Sequence, residues 1–262
     1  MLNFKQFLHE RAIDSEPNYS EVEDDILTIM KTHCSESMWM LKNNTPFYRG
    51  DKGVRFKNAD AFTVDTSATL RKSQNTSNYY TVLLDNNPVN KDYPKRSRSF
   101  ICSTSAVTAG YFDDYNYFVV VPFNDAKIGY VGREDFWDLS IDFFGKSRRI
   151  SSINGYFREL KLSDVSWDSF VEFDKKLKND DEEAFENFSF FLKELKIYDA
   201  ESYRYSFLEE IKRAYDYRKI GPEHFTPANY EYDGTPSEVW IGGKILMIAP
   251  SVWNQMREDL NA

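Results

Sequence analysis

Apolar residues recur along this chain with two different periods, and the period changes three times. Residues 2–11 set Leu2, Phe4, Phe7 and Leu8 among polar neighbours, the spacing of a short amphipathic helix, and Asp14-Ser15-Glu16-Pro17-Asn18 breaks it. Ser20 with Glu23 three residues later has the form of a capping box. It predicts a helix through Ile26, Leu27, Ile29 and Met30 that continues, after a break, through Trp39 and Leu41. Asn43-Asn44-Thr45-Pro46 stops that helix, so residues 1–45 read as an N-terminal helical segment.

From Phe47 onward the texture is that of short strands and loops. The polar stretch 51–95 is expected to hold an irregular strand or two, including Tyr79–Leu84, with a loop around 85–93. Phe100–Ser103 and Tyr117–Phe123 are strand-type runs, with a single helical turn at Ala106–Phe112 between them. Asp125–Val131 reads as a turn and a further strand.

Over 163–217 the helical period returns. Phe170, Phe173 and Leu177 form one stripe, Phe185, Phe188, Phe191 and Leu195 continue it, and Tyr203, Phe207, Ile211 and Tyr215 mark another helix. The acidic run Asp180-Asp181-Glu182-Glu183 reads as solvated charge at a helix start. Pro236–Ile241 and Lys244–Ala249 flank Gly242-Gly243, the pattern of a β-hairpin. The expectation is an α+β domain over 46–262 with a helical insertion at 163–217.

Composition narrows the classes. Hydrophobic residues make up 41% and aromatics 16%, which excludes a disordered chain and favours sheet. A net charge of −9 opposes broad, non-specific nucleic-acid binding, although Lys95-Arg96-Ser97-Arg98 is a local basic stretch able to steer an anionic ligand. With only Cys34 and Cys102, there is no disulfide framework, as suits a reducing compartment. The three histidines lack metal-ligand spacing, so no metal is expected. No apolar run approaches the roughly 20 residues that span a bilayer, and residues 1–13 lack the apolar core of a secretory signal.

Three pieces place polar groups inside otherwise apolar strands: Phe47-Tyr48-Arg49-Gly50, Phe100–Ser105, and Ser237-Glu238-Val239-Trp240-Ile241. Such groups are costly to bury without partners, so they are expected to face one another or a shared ligand. Arg49 offers a planar fork that matches a diphosphate, and Gly50 lets the backbone bend beside it. Ser103 and Ser105 fall on one strand face and Thr104 on the other. A carboxylate at Glu238 suits a sugar that develops positive charge when its glycosidic bond breaks.

Taken in this order, Tyr48-Arg49-Gly50, Phe100–Ser105 and Ser237-Glu238-Val239 resemble the ADP-ribosyltransferase superfamily, in its arginine, serine-threonine-serine, glutamate branch. The run Arg98–Thr104, Val121-Pro122-Phe123 and the Glu-Val-Trp strand look like uncharacterised proteins of tailed phages. The resemblance covers about residues 46–131 and 228–250 and leaves out the helical stretch between.

It implies a pair of small, mostly antiparallel sheets around a cleft, with NAD as substrate and no metal. It also implies that Arg49 holds the NAD phosphates, that Ser103 supports the nicotinamide ribose and the acid, that Thr104 pins neighbouring strands and that Ser105 closes the site. Glu238 would be the catalytic acid, Tyr111 or Phe112 would stack on nicotinamide, and the loop holding Tyr230, Glu231 and Tyr232 would face the target.

Members that modify arginine carry an acid or amide two residues before the catalytic glutamate. Here that residue is Pro236, so the expected acceptor is a host macromolecule, most simply a protein, modified elsewhere than at arginine. The alternative is a non-catalytic virion or interaction protein on the same fold. Residues 1–10 also resemble the leaders of proteins packaged into the heads of large tailed phages, and Leu8-His9-Glu10 looks like a prohead protease site. The same residues equally suit a helix docked on the domain. The expected locations are the host cytoplasm and the phage head.

Overall fold

The computed structural model describes residues 11–15, 18–22, 25–50, 59–67, 70–72, 78–111, 116–133, 135–230 and 234–261. The helix expected over 2–11 and the leader 1–10 fall outside these residues, apart from Arg11. Two compact units divide the chain, one drawn from Met1–Gln74, Tyr93–Asp135 and Pro222–Ala262, the other from Asn75–Asp92 and Phe136–Gly221. The boundaries expected at 46 and at 163–217 are therefore not where the contacts divide: the N-terminal helices belong with the sheet, and the second unit is larger than the expected insertion.

The first unit opens with strands β1 (Arg11–Ser15) and β2 (Asn18–Glu21), then helices α1 (Ile26–His33) and α2 (Met38–Asn43). Strands β3 (Phe47–Arg49), β4 (Ala61–Asp65) and β5 (Leu70–Lys72) follow. Helix α3 (Tyr79–Asn86) belongs to the second unit. The chain then returns to the first through β6 (Phe100–Ser103), α4 (Ala106–Gly110), β7 (Phe118–Pro122) and β8 (Lys127–Tyr130). The second unit resumes with β9 (Ser140–Phe143), β10 (Lys146–Arg149) and α5 (Ile150–Tyr156). Its other helices are α6 (Trp167–Lys178), α7 (Glu182–Glu194), α8 (Ala200–Tyr203), α9 (Phe207–Ala214) and α10 (Tyr217–Ile220). The first unit ends with β11 (Glu223–Phe225), β12 (Glu238–Gly242), β13 (Lys244–Ile248) and α11 (Pro250–Asn261).

Nine strands of the first unit form one antiparallel sheet in the order β11-β8-β12-β6-β3-β7-β13-β4-β2. The class is α+β. The strands expected to form two small sheets around a cleft belong to this one large sheet, joined at its middle by a single residue pair, Tyr48 opposite Ser103, while β1 pairs with β5 and β9 with β10 in separate two-stranded sheets. One face buries Phe47, Phe100, Cys102, Val239 and Ile241 in a core that Met30, Met40, Leu41, Trp253 and Met256 also enter from α1, α2 and α11. Such a face follows from alternation, since Val239 and Ile241 of β12 point one way and Glu238 and Trp240 the other.

Trp240 settles the second face. It lies directly across from Gly129 of β8, where an added Cβ would sit 2.1 Å from the indole Cε2. Its Nε1 donates to the Pro94 carbonyl at 2.9 Å.

The second unit is built on aromatic packing. Phe157 is stacked on Phe191 and meets Phe170 edge-on, and Phe143 meets Phe191 and Tyr215 edge-on. Ser166 and Asp181 cap α6 and α7 by accepting from the Ser169 and Ala184 amides, so the helical reading of 163–217 holds.

Three local expectations give way. Ser20 does not cap a helix: it lies in β2 opposite Thr63, and Asp25 caps α1 by accepting from the Leu27 and Thr28 amides. Tyr79–Leu84 is helix rather than strand. Its β-branched and aromatic residues are buried nearly all round, and burial on several sides removes the period that separates helix from strand. The strands flanking Gly242-Gly243 do not pair as a hairpin. β12 bonds β6 and β8, whereas β13 bonds β4 and β7, and Gly243 at φ 109° lets the chain turn between them.

Candidate functional site

Strands β12, β6 and β3 lie side by side, and one row runs across them from Glu238 through Ser103 to Tyr48. Residues of one row share a sheet face, so the carboxylate and the first hydroxyl of Ser103-Thr104-Ser105 are direct neighbours. Past the row the strands are tied by side chains. The Thr104 hydroxyl accepts from the Ser237 amide at 2.8 Å and donates to the Thr235 carbonyl at 3.2 Å, while the Thr104 amide donates to the Ser237 carbonyl. The Ser103 hydroxyl accepts from the Ser105 amide, and the Ser105 hydroxyl accepts from the Thr108 amide to cap α4.

Glu238 is 1% exposed. Its Oε1 accepts from Arg96 Nε at 3.2 Å and Nη2 at 3.1 Å, and Arg96 is itself 1% exposed. The Glu238 backbone is also held, its amide donating to the Arg133 carbonyl and its carbonyl accepting from the Val131 amide. A buried carboxylate needs such a cation to stay charged.

The sequence reading missed Arg96 because it stands inside Lys95-Arg96-Ser97-Arg98, a stretch that looks uniformly solvated. Lys95 and Arg98 are exposed as expected, and only Arg96 turns inward. The available signal was the demand itself: a glutamate inside a buried strand requires a partner, but charge alone does not say which basic residue answers.

The other expected residues are distributed differently. Arg49 is half-buried at the end of β3, its Nη1 donates to the Ile101 carbonyl at 2.7 Å, and its guanidinium carbon lies 5.3 Å from the Phe100 ring centroid. Tyr48 and not Arg49 stands in the Ser103 row, so strand alternation sets the Arg49 base on the opposite parity from Glu238. Gly50 follows it, buried. Tyr111, at the end of α4, is 55% exposed.

Tyr230 was expected to face a target and does not. It is 4% exposed, enclosed by the rings of Trp39, Phe47, Tyr130 and Phe225, because a large ring beside an apolar core gains more by burial than by display. Phe112, Glu231 and Tyr232 lie outside the described residues. Pro236 is exposed, two residues before Glu238.

Among the described residues, no group of three or more His, Cys, Asp or Glu is placed to hold a metal ion, and no helix is long and apolar enough to cross a membrane. No family model matches the chain, and neither a curated protein nor a solved structure does.

Proposed function

We propose that the chain is an NAD-dependent ADP-ribosyltransferase, or an NAD glycohydrolase when water is the acceptor. The observation that carries this reading is the cross-strand pairing of Glu238 with Ser103, beside the strand that ends in Arg49. In the reaction the bond between ribose C1′ and the nicotinamide nitrogen breaks, and its electron pair leaves with nicotinamide. The ribose passes through an oxocarbenium-like state that an acceptor lone pair then attacks, its proton passing to solvent. Glu238 accepts a hydrogen bond from the 2′-hydroxyl and opposes the growing positive charge, with Ser103 beside it. Arg49 has one nitrogen on the Ile101 carbonyl, and among the described residues no further hydrogen bond engages its guanidinium, whose planar fork suits a diphosphate oxygen pair.

Pro236 has no group with which to activate a neutral nucleophile. The acceptor in this reading is a host macromolecule other than protein arginine. A phage source, action in the host cytoplasm and packaging of residues 1–10 as a leader belong to the same proposal.

A second reading, a virion or interaction protein that keeps the fold without turnover, is favoured by the Arg96–Glu238 pair, which occupies the would-be acid. Incubating the purified chain with NAD and following nicotinamide release separates the two. The enzyme reading expects release that Glu238→Ala abolishes and labelled ADP-ribose on a host component. No release, no NAD binding by calorimetry and an Arg49→Ala chain indistinguishable from wild type would leave the second reading standing.

A further inference from the structure

Segment Pro94–Ser99 lies over β12 on the Glu238 face. Its Pro94 carbonyl accepts from the Trp240 indole, a Cβ at Gly242 would come within 3.3 Å of Pro94 Cβ and 3.4 Å of Ser99 Oγ, and Arg96 meets Glu238. Internal bonds shape the segment into a tight turn: the Arg98 amide and the Ser99 hydroxyl both donate to the Lys95 carbonyl. Three contacts spaced along one strand, at positions 238, 240 and 242, make this a strap following β12 rather than a loop that touches it once.

We propose that Pro94–Ser99 is a self-inhibitory strap, with Arg96 holding the position beside Glu238 that a cationic ribose takes during NAD cleavage; this rests on the ADP-ribosyltransferase reading. The chemistry of the two occupants matches. A guanidinium and an oxocarbenium-like sugar are both cations that a carboxylate attracts, so they compete for the same oxygen. With Arg96 seated, Glu238 is 1% exposed and no sugar reaches it.

Turnover therefore requires the strap to lift, and the observed rate is the intrinsic rate scaled by the fraction of molecules with the strap raised. Lifting replaces the guanidinium beside Glu238 with substrate or water. The hydroxyls of Ser103, Thr104 and Ser105 hydrogen-bond to Ser105, Thr108, Thr235 and Ser237, all outside the strap, so their arrangement survives its movement.

The 3.3 Å approach at positions 94 and 242 supplies a lock, since it lies just under the roughly 3.5–4.5 Å Cβ separation of a disulfide. The native Cys34 and Cys102 are both buried and do not compete. The chain carrying Pro94→Cys and Gly242→Cys is assayed for nicotinamide release in oxidised glutathione and again after dithiothreitol. Loss of roughly tenfold or more on oxidation, recovered on reduction, is the expected result. Equal activity in both states overturns the strap and leaves the enzyme reading intact.

Arg96→Lys gives the second arm. It keeps the charge on a weaker, single-point grip. A several-fold rise in kcat in a chain that melts cooperatively is expected. A fall in kcat would make Arg96 a positioning residue for Glu238 and sink the inhibitory role. If none of these chains consumes or binds NAD, the enzyme reading fails and the strap falls with it.

Discussion

Arg96 meets Glu238 through one carboxylate oxygen, which accepts from Nη2 at 3.1 Å and Nε at 3.2 Å while both side chains are 1% exposed. The pair is a buried charge couple, and its first consequence is thermodynamic. Removing one member takes the opposite charge away from the other in a poorly solvated place, a loss of about 3–5 kcal/mol. Arg96→Met and Glu238→Leu should each lower the urea unfolding free energy by about that amount, and the double variant should lose much less than the sum. Additivity of the two losses would show that the side chains are not coupled.

Gly129 makes room for Trp240. A methyl at Gly129 falls 2.1 Å from the indole Cε2, inside the van der Waals contact. Gly129→Ala should cost about 1–3 kcal/mol as overpacking, read as a lower Tm, and Trp240→Phe in the same chain should recover part of the loss. An unchanged Tm in Gly129→Ala would contradict the close packing of β8 against β12.

Thr104 clasps the run that leads into β12. Its hydroxyl accepts from the Ser237 amide and donates to the Thr235 carbonyl. Thr104→Val keeps the shape and leaves both backbone groups without that partner, an expected loss of about 1–3 kcal/mol. Hydrogen exchange should locate the change, with faster exchange at the Ser237 amide and little change in β13. Uniform exchange across the sheet would point to a global effect instead.

Alkaline pH should loosen the fold. Burial pushes the Cys34 thiol from about 9 up to about 12, and burial likewise raises Tyr215 above the ordinary phenol range. Both groups hold their protons more tightly folded than unfolded. The stabilisation is complete below the unfolded pKa and is lost as pH rises, by about 1.4 kcal/mol per pH unit for each titrating group. For Cys34 that window is pH 9 to 12. Urea midpoints measured above pH 9 should fall, and Cys34→Ala should flatten the decline. A midpoint indifferent to pH in that window would refute the assignment.

Parts of this fold were legible wherever local chemistry dominates. Asn44 in the left-handed region at φ 54° ends α2 where the Asn-Asn-Thr-Pro run predicts a stop. The strands at Phe100–Ser103 and Phe118–Pro122 and the turn of helix at Ala106–Gly110 match their apolar runs, and the phenylalanine stripes of α6 and α7 match theirs. Legibility failed where one segment satisfied two rules. Ser20 suits a helix cap and also a strand, and pairing with β4 decided it. Tyr79–Leu84 suits strand by composition, yet burial on several sides selected helix.

The sequence by itself determined which residues carry polar chemistry inside strands, because a buried hydroxyl or carboxylate stands out against apolar neighbours. It therefore named Ser103, Thr104 and Glu238 as a group. Only tertiary structure decided how that group is satisfied. Register set Glu238 against Ser103 and placed Tyr48, rather than Arg49, in their row. The inward turn of Arg96 made a member of a seemingly solvated basic run the counter-ion of Glu238. Register and ion pairing join residues far apart in the chain, so their energies depend on where strands meet, which no local pattern of side chains encodes.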